Sequence, residues 1–220
     1  MVSLMRIVSF ILLSLLIASC TPSGTQQPEE KESAIGEDEI AEQDVEVDLL
    51  TFSDEIAIDP STLTYDGDIA FTKSWQDDNG DNIALFTKKE EELFVYHYGR
   101  KEGEAKLLRK IYDFEKDCEF DRTLEFLKND ILLTDLDNDQ IGEISFAYRK
   151  ACISDVSPKE LKLLILENGD KYIIRGNTLI SFGEESYGGE KQVDASFDQA
   201  PEGFLSHATQ LWEEVVAEVY

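Results

Sequence analysis

The sequence predicts an α+β domain of mostly antiparallel β-strands, arranged as hairpins and closed by one C-terminal amphipathic helix. Three observations predict it. Short apolar runs with polar residues interleaved are broken by turn signals such as Asn79-Gly80 and Asn168-Gly169. From Pro201 onward, Phe204, Leu205, Ala208, Leu211, Trp212, Val215, Val216 and Val219 recur at helical spacing. No repeat of fixed period runs through the chain, which argues against a propeller or a solenoid.

The N-terminus stands apart from this domain. Met1–Ser19 holds one basic residue, Arg6, and an apolar run from Ile7 to Ala18. That run is too short for a comfortable transmembrane helix and ends in small residues, as a secretory signal does. It closes on Leu16-Ile17-Ala18-Ser19-Cys20, which resembles the bacterial lipobox. The resemblance implies acylation of Cys20 (palmitate or a similar chain) as the first residue of the mature protein. Several acyl chains make a stable anchor, because each buried methylene contributes about 0.8 kcal/mol. Thr21 follows, not the Asp that retains many lipoproteins at the inner membrane, so the implied destination is the outer membrane. Residues Cys20–Asp48 are rich in Pro, Ser, Gly, Gln, Glu and Asp and lack periodicity. Such a segment buries too little surface to offset its ordering entropy and reads as a flexible acidic tether. One globular domain is expected over Leu49–Tyr220.

Within the domain, Asp54–Thr64 shows no pattern. Ile69–Trp75 and Ile83–Thr87 are expected to pair about the first Asn-Gly turn. Asp77, Asn79 and Asp81 alternate oxygen donors there, but Leu85 stands where a further acid would be needed, so the segment reads as a plain hairpin. Leu93–Tyr98 and Ala105–Phe114, rich in aromatic and branched residues, continue the series of strands. Thr123–Leu127 fits either a strand or a short helix. Leu161–Leu166 and Tyr172–Arg175 form a hairpin about Asn168-Gly169. Ser181–Asp198, rich in Gly and polar residues, is expected as a long loop.

Between these lies the stretch that carries chemistry. Ile131–Thr134 enters a loop with Asp135, Asp137 and Asp139 at alternate positions, and Glu143 begins the apolar run that leaves it. A tightly turning backbone would aim three side chains at one centre, with the Ile141 carbonyl and the Glu143 carboxylate completing the set. Hard oxygen donors gathered this way suit calcium; magnesium seldom uses an all-protein cage. The loop departs from the EF-hand pattern at Gln140, where Gly is wanted, and at Phe146, where the bidentate Glu is wanted. Its flanks read as strands, so it looks more like the Asp-rich hairpin loops of extracellular repeat domains. A solvated acidic turn is the alternative.

The net charge is −27, and −28 once Met1–Ser19 with its one Arg is removed. Charge of this sign excludes nucleic acid and anionic lipid as electrostatic partners. The membrane partner is therefore reached through lipid. Cys118 and Cys152 remain after Cys20, and an even pair in an exported domain points to a disulfide closing a loop around the acidic hairpin. His97 reads as a half-buried strand residue and His207 as surface or helix packing. No nucleophile elbow, zinc-binding helix, phosphate loop or dinucleotide fingerprint is present, so no catalytic residue is assigned.

The order of several short motifs resembles a family. They are Ser74-Trp75 with Asp77 and Gly80, Tyr112–Cys118, Thr134–Asn138 with Glu143–Phe146, Asp155–Pro158 before Glu160–Lys162, and Lys171-Tyr172 with Arg175-Gly176. Over Tyr65–Tyr220 the chain is similar to bacterial envelope lipoproteins labelled as surface-polysaccharide-biosynthesis proteins. The resemblance implies an envelope role connected with surface glycan and carries over no catalytic residue. The reading is a lipid-anchored, non-catalytic binding or accessory module with a calcium-stabilised loop and a glycan or envelope-protein partner. Trp75, Tyr96 and Tyr98 are its candidate sugar platforms, with core packing as their alternative use. Two other readings are a carboxylate-dependent enzyme acting on surface polysaccharide and a lipid-anchored inhibitor inserting Ser181–Asp198 into an envelope enzyme.

Overall fold

The computed structural model describes residues 50–218. The expected signal peptide, Cys20, the tether, Leu49 and the last two residues, including Val219, lie outside the described residues.

Four strands form an antiparallel meander: β1 (Asp68–Asp77), β2 (Gly80–Lys89), β3 (Glu92–Arg100) and β4 (Lys106–Phe114), with β4 at one edge. A second antiparallel sheet contains β5 (Asp121–Phe126), β6 (Leu132–Thr134), β7 (Glu143–Ile153), β8 (Glu160–Glu167) and β9 (Asp170–Asn177). Two further pieces are β10 (Leu179–Phe182) with β11 (Glu185–Gly188), and β12 (Lys191–Val193). The second sheet runs β12-β9-β8-β7-β5, with β6 also paired to β7, while β10 and β11 make a separate hairpin. The helix α1 (Phe204–Val215) follows. The described residues are thus mostly antiparallel β with one C-terminal helix, as the sequence predicts.

Side chains alternate across each strand, so each sheet has two faces to cover. Between the sheets lie Trp75, Phe86 and Val95 from the first, against Phe126, Phe146 and Leu164 from the second. On the far face of the second sheet, α1 buries Phe204, Ala208, Leu211, Trp212 and Val215 against Leu161, Leu163 and Ile165. Leu205 does not join them and is 42% exposed. It sits about 100° around the helix from Phe204, off the apolar stripe. The far face of the first sheet is covered by the segment before β1, where Ile58, Leu63 and Tyr65 pack on Leu85, Tyr96 and Tyr98.

Locally, one open reading is resolved and one expectation fails. Thr123–Leu127 resolves as strand, because β5 pairs with β7 from Asp121 to Phe126. Ser181–Asp198 is not a long loop: it holds the end of β10, then β11, β12 and a 3-10 turn at Ala195–Gln199. These strands are short, and β11 and β12 are largely exposed, so no apolar alternation marks them. The Asn-Gly turn behaves as read. Asn168 and Gly169 both take positive φ, 41° and 94°, as a type I′ hairpin requires.

Polar and covalent ties cross the structure. Asp113 on β4 is buried and accepts hydrogen bonds from Tyr148 Oη (2.8 Å) and Lys162 Nζ (2.5 Å) on the opposite sheet. Burial pushes its carboxyl up, but the bonds from Lys162, Tyr148 and the Phe114 amide outweigh it and hold it below the ordinary range. Cys118 and Cys152 form the expected disulfide, with Cα atoms 5.6 Å apart. It joins the β4–β5 connection to the end of β7. Cys118→Ala combined with Cys152→Ala is expected to lower unfolding free energy by about 2–5 kcal/mol. Denaturant titration of the double variant against the oxidised parent checks this, and equal midpoints would contradict it.

Candidate metal centre

β6 and β7 deliver the acidic loop. Leu132 pairs with Ser145 and Thr134 with Glu143, leaving Asp135–Gly142 as the connection. Within it Asn138 and Gln140 take φ of 60° and 68°. Gln140 occupies the position where an EF-hand places Gly, and it adopts the left-handed backbone that explains that preference.

Asp135 and Glu143 share one design: one oxygen is tied to the chain and the other is left over. Asp135 Oδ2 accepts from the Gln140 amide at 3.1 Å, while its Oδ1 is buried without a partner. Glu143 Oε2 accepts from Thr134 Oγ1 and the Leu136 amide, both at 2.9 Å, while Oε1 is buried without a partner. Glu143 has no exposed surface and Asp135 is 8% exposed. Asp137 Oδ1 is also buried and unpartnered. Asp139 is exposed, and its Oδ1 accepts from the Ile141 amide at 2.8 Å. Ile141 therefore serves the loop through its N–H as well as standing where its carbonyl was expected to act.

A residue not read from the sequence completes the centre. Glu167, at the end of β8, has its own buried, unpartnered Oε1. β7 and β8 pair Ile144 with Leu166. One step further in that register sets Glu143 opposite Glu167, and like charges opposed across strands destabilise a sheet. Asp135, Asp137 and Glu143 bring ligand oxygens within 4.8 Å of one another, and so do Asp137, Asp139 and Glu167. These sets can hold a metal ion.

The electrostatics record the crowding. Burial pushes Glu143 up to about 8; hydrogen bonds from Leu136 and Thr134 oppose the rise, and the charges of Glu167 and Asp137 add to it. Burial, then the charges of Asp137 and Asp139, push Glu167 up to about 7. Asp137 is raised by burial and by Asp139 and Asp135. Each shift says that the ionised site is costly as it stands and that a cation would relieve it.

The first hairpin braces this loop. Asp77 Oδ2 accepts from Trp75 Nε1 (3.0 Å) and from the Gly142 amide (3.1 Å), and the Asp78 amide donates to the Gln140 carbonyl (3.0 Å). A Cβ on Gly142 would lie 2.9 Å from Trp75 Nε1, so the contact needs glycine. Asp77, Asn79 and Asp81 do not gather as ligands: Asp81 instead pairs with Arg100 at 2.7 Å. The plain-hairpin reading holds, with Asp77 as a prop for the neighbouring loop.

The other candidates fall into the core. Trp75, Tyr96 and Tyr98 are buried at 2%, 2% and 5% exposure, so none offers a face to sugar. His97 is fully buried rather than half-buried, bonded through Nε2 to Asn82 Oδ1 at 3.0 Å, and burial lowers it to about 4. His207 meets Ser145 Oγ through Nε2 at 3.1 Å. Among the described residues, open depressions of about 600 and 300 Å³ lie elsewhere, the first lined by Asn82, Lys101 and Leu108 and the second by Glu92, Phe94 and Tyr112. Comparison with protein-family models, curated proteins and solved structures gives no match.

Proposed function

We propose that this protein is a lipid-anchored bacterial envelope protein whose folded domain is a non-catalytic binding or accessory module linked to surface glycan. A calcium ion bound by the acidic loop stabilises that domain. The observation that carries the calcium reading is the set of buried carboxylate oxygens left without partners on Asp135, Asp137 and Glu143. Native proteins rarely leave such oxygens bare unless an ion or water meets them. A donor set made only of oxygens, on a loop with an exposed rim, suits calcium better than magnesium or a transition metal. Ile141 supplies a backbone carbonyl to the same ion. The envelope reading rests on Cys20 and the residues before it, and the glycan link on the family resemblance.

The non-catalytic reading is supported by where the raised carboxyls are. Glu143 has no exposed surface, and neither open depression is lined by it or by Glu167. A general acid must reach its substrate. The inhibitor reading loses its extended loop, since Ser181–Asp198 is occupied by short strands.

Thermal unfolding of the full chain in detergent, first in EDTA and then in millimolar calcium, tests the ion. A ligand at a hundredfold excess over its dissociation constant contributes about 2.7 kcal/mol, which for a chain of this size is about 5–10 °C. Asp137→Ala is expected to abolish the rise. Equal melting temperatures with and without calcium in the parent protein would refute calcium stabilisation.

A further inference from the structure

Resting on the calcium reading, the geometry points to two cations at this centre, an inner one and an outer one, bridged by Asp137. We infer that Asp135, Asp137 and Glu143 hold the inner ion and that Asp137, Asp139 and Glu167 hold the outer one. Each trio places ligand oxygens within 4.8 Å of one another, and Asp137 alone belongs to both. That limit is about twice a calcium–oxygen distance, so each trio can surround an ion of its own.

Charge balance favours the pair. The two trios contain five carboxylates. When all are ionised, one divalent cation leaves three negative charges uncompensated beside a Glu143 with no exposed surface. Two divalent cations leave one. Uncompensated charge in a buried setting is the costly condition.

The unpartnered oxygens fall on both sides of the bridge. Glu143 Oε1 and Asp135 Oδ1 belong to the inner trio, on residues with 0% and 8% exposure. Glu167 Oε1 belongs to the outer trio, and Asp137 Oδ1 lies between. A single inner ion would leave Glu167 opposite another carboxylate, with only their shared side-chain hydrogen bond to relieve it. The outer ion answers that.

The two positions differ in access. Glu143 and Asp135 close the inner one inside the protein, where the ion is structural. Asp139 is exposed, so the outer ion faces solvent and completes its shell with water or with oxygens of a ligand, such as glycan hydroxyls or a carboxylate. An acidic protein can meet an acidic glycan through such a bridging cation, where its own surface would repel it.

The test is the number of calcium ions bound per chain, measured on the full chain in detergent by equilibrium dialysis against calcium at physiological salt, which screens loose surface association. The parent is expected to bind two ions in separable steps. Glu167→Gln and Asp139→Asn are each expected to weaken the second step at least tenfold and keep the first, whereas Glu143→Gln weakens the first. Binding of one ion by the parent would overturn the outer site and leave the single-ion reading standing; binding of none would overturn both. Two ions retained at parental affinity in both Glu167→Gln and Asp139→Asn would also overturn it. Should Glu167→Gln fail to fold, as circular dichroism would reveal, the parental count and Asp139→Asn decide.

Discussion

Phe86→Ala is expected to cost about 3–5 kcal/mol of unfolding free energy. The size follows from position. Phe86 is fully buried on β2 and stacks on Phe71 with ring centroids 4.4 Å apart. It meets Phe126 and Phe146 edge-on at 5.2 and 5.3 Å. Those partners come from β5 and β7, so the ring is where the two sheets touch. Truncation removes its transfer free energy and leaves a cavity between two pleated surfaces that cannot both close on it. Aromatic pairs add about 0.5–1.5 kcal/mol beyond the buried area. For a chain of this length the melting temperature should fall by roughly 10 °C or more. A fall of only a degree or two in calorimetry would mean that the sheets are held together elsewhere, for instance by Asp113 with Lys162.

The second large effect is a stability that declines toward neutral pH when metal is withheld. Glu143 and Glu167 have folded-state values raised to about 8 and about 7, above the ordinary carboxylate value of an unfolded chain. A group raised in this way contributes stability that is fully present below its unfolded pKa and is lost as pH rises through the folded one. In EDTA, unfolding free energy should therefore fall between about pH 5 and pH 8, by a few kcal/mol for Glu143 alone. Asp113 and Asp194 are shifted down, Asp194 to about 2, so their opposing contributions are complete below this window. Buried His97, lowered to about 4, and His207, also lowered, oppose the fall up to about pH 6.5, so the decline is steepest above that point. With calcium bound, the carboxylates give up their protons, and the slope over the window should flatten. The gap between the two curves should therefore widen with pH. Urea titrations at pH 5, 6.5 and 8 measure it. Parallel curves, or a gap that narrows with pH, would contradict the coupling of these two acids to the ion.

Much of this was legible in the chain, for identifiable reasons. Asp135, Asp137, Asp139 and Glu143 lie within one loop, and local spacing is what sequence shows. The Asn168-Gly169 hairpin and the α1 stripe are likewise local. Glu167 was hidden because its neighbourhood is made by the pairing of β7 with β8, which sets it opposite Glu143. Its one signal was an acid directly before the Asn-Gly turn, seen beside an acid at the start of the preceding strand. The prop from Asp77 was hidden in the same way, since 65 residues separate it from Gly142. Ser181–Asp198 misled because strands that bury little need no apolar alternation. Asp54–Thr64 showed no pattern because few of its residues, chiefly Ile58 and Leu63, do the covering.

The exposed flank of β4 has a consequence for crowding. As an edge strand it leaves every second backbone N–H and C=O unpaired within its sheet, the template by which chains aggregate edge to edge. Leu107, Tyr112 and Phe114 are each more than two-fifths exposed along it and would invite such growth. Lys106 and Lys110 are exposed on the same strand, and an incoming copy of that strand would bring like charges against them. Farther out, it would meet a chain of net charge −27. Many copies held close together on one surface would therefore remain separate rather than seed a fibre.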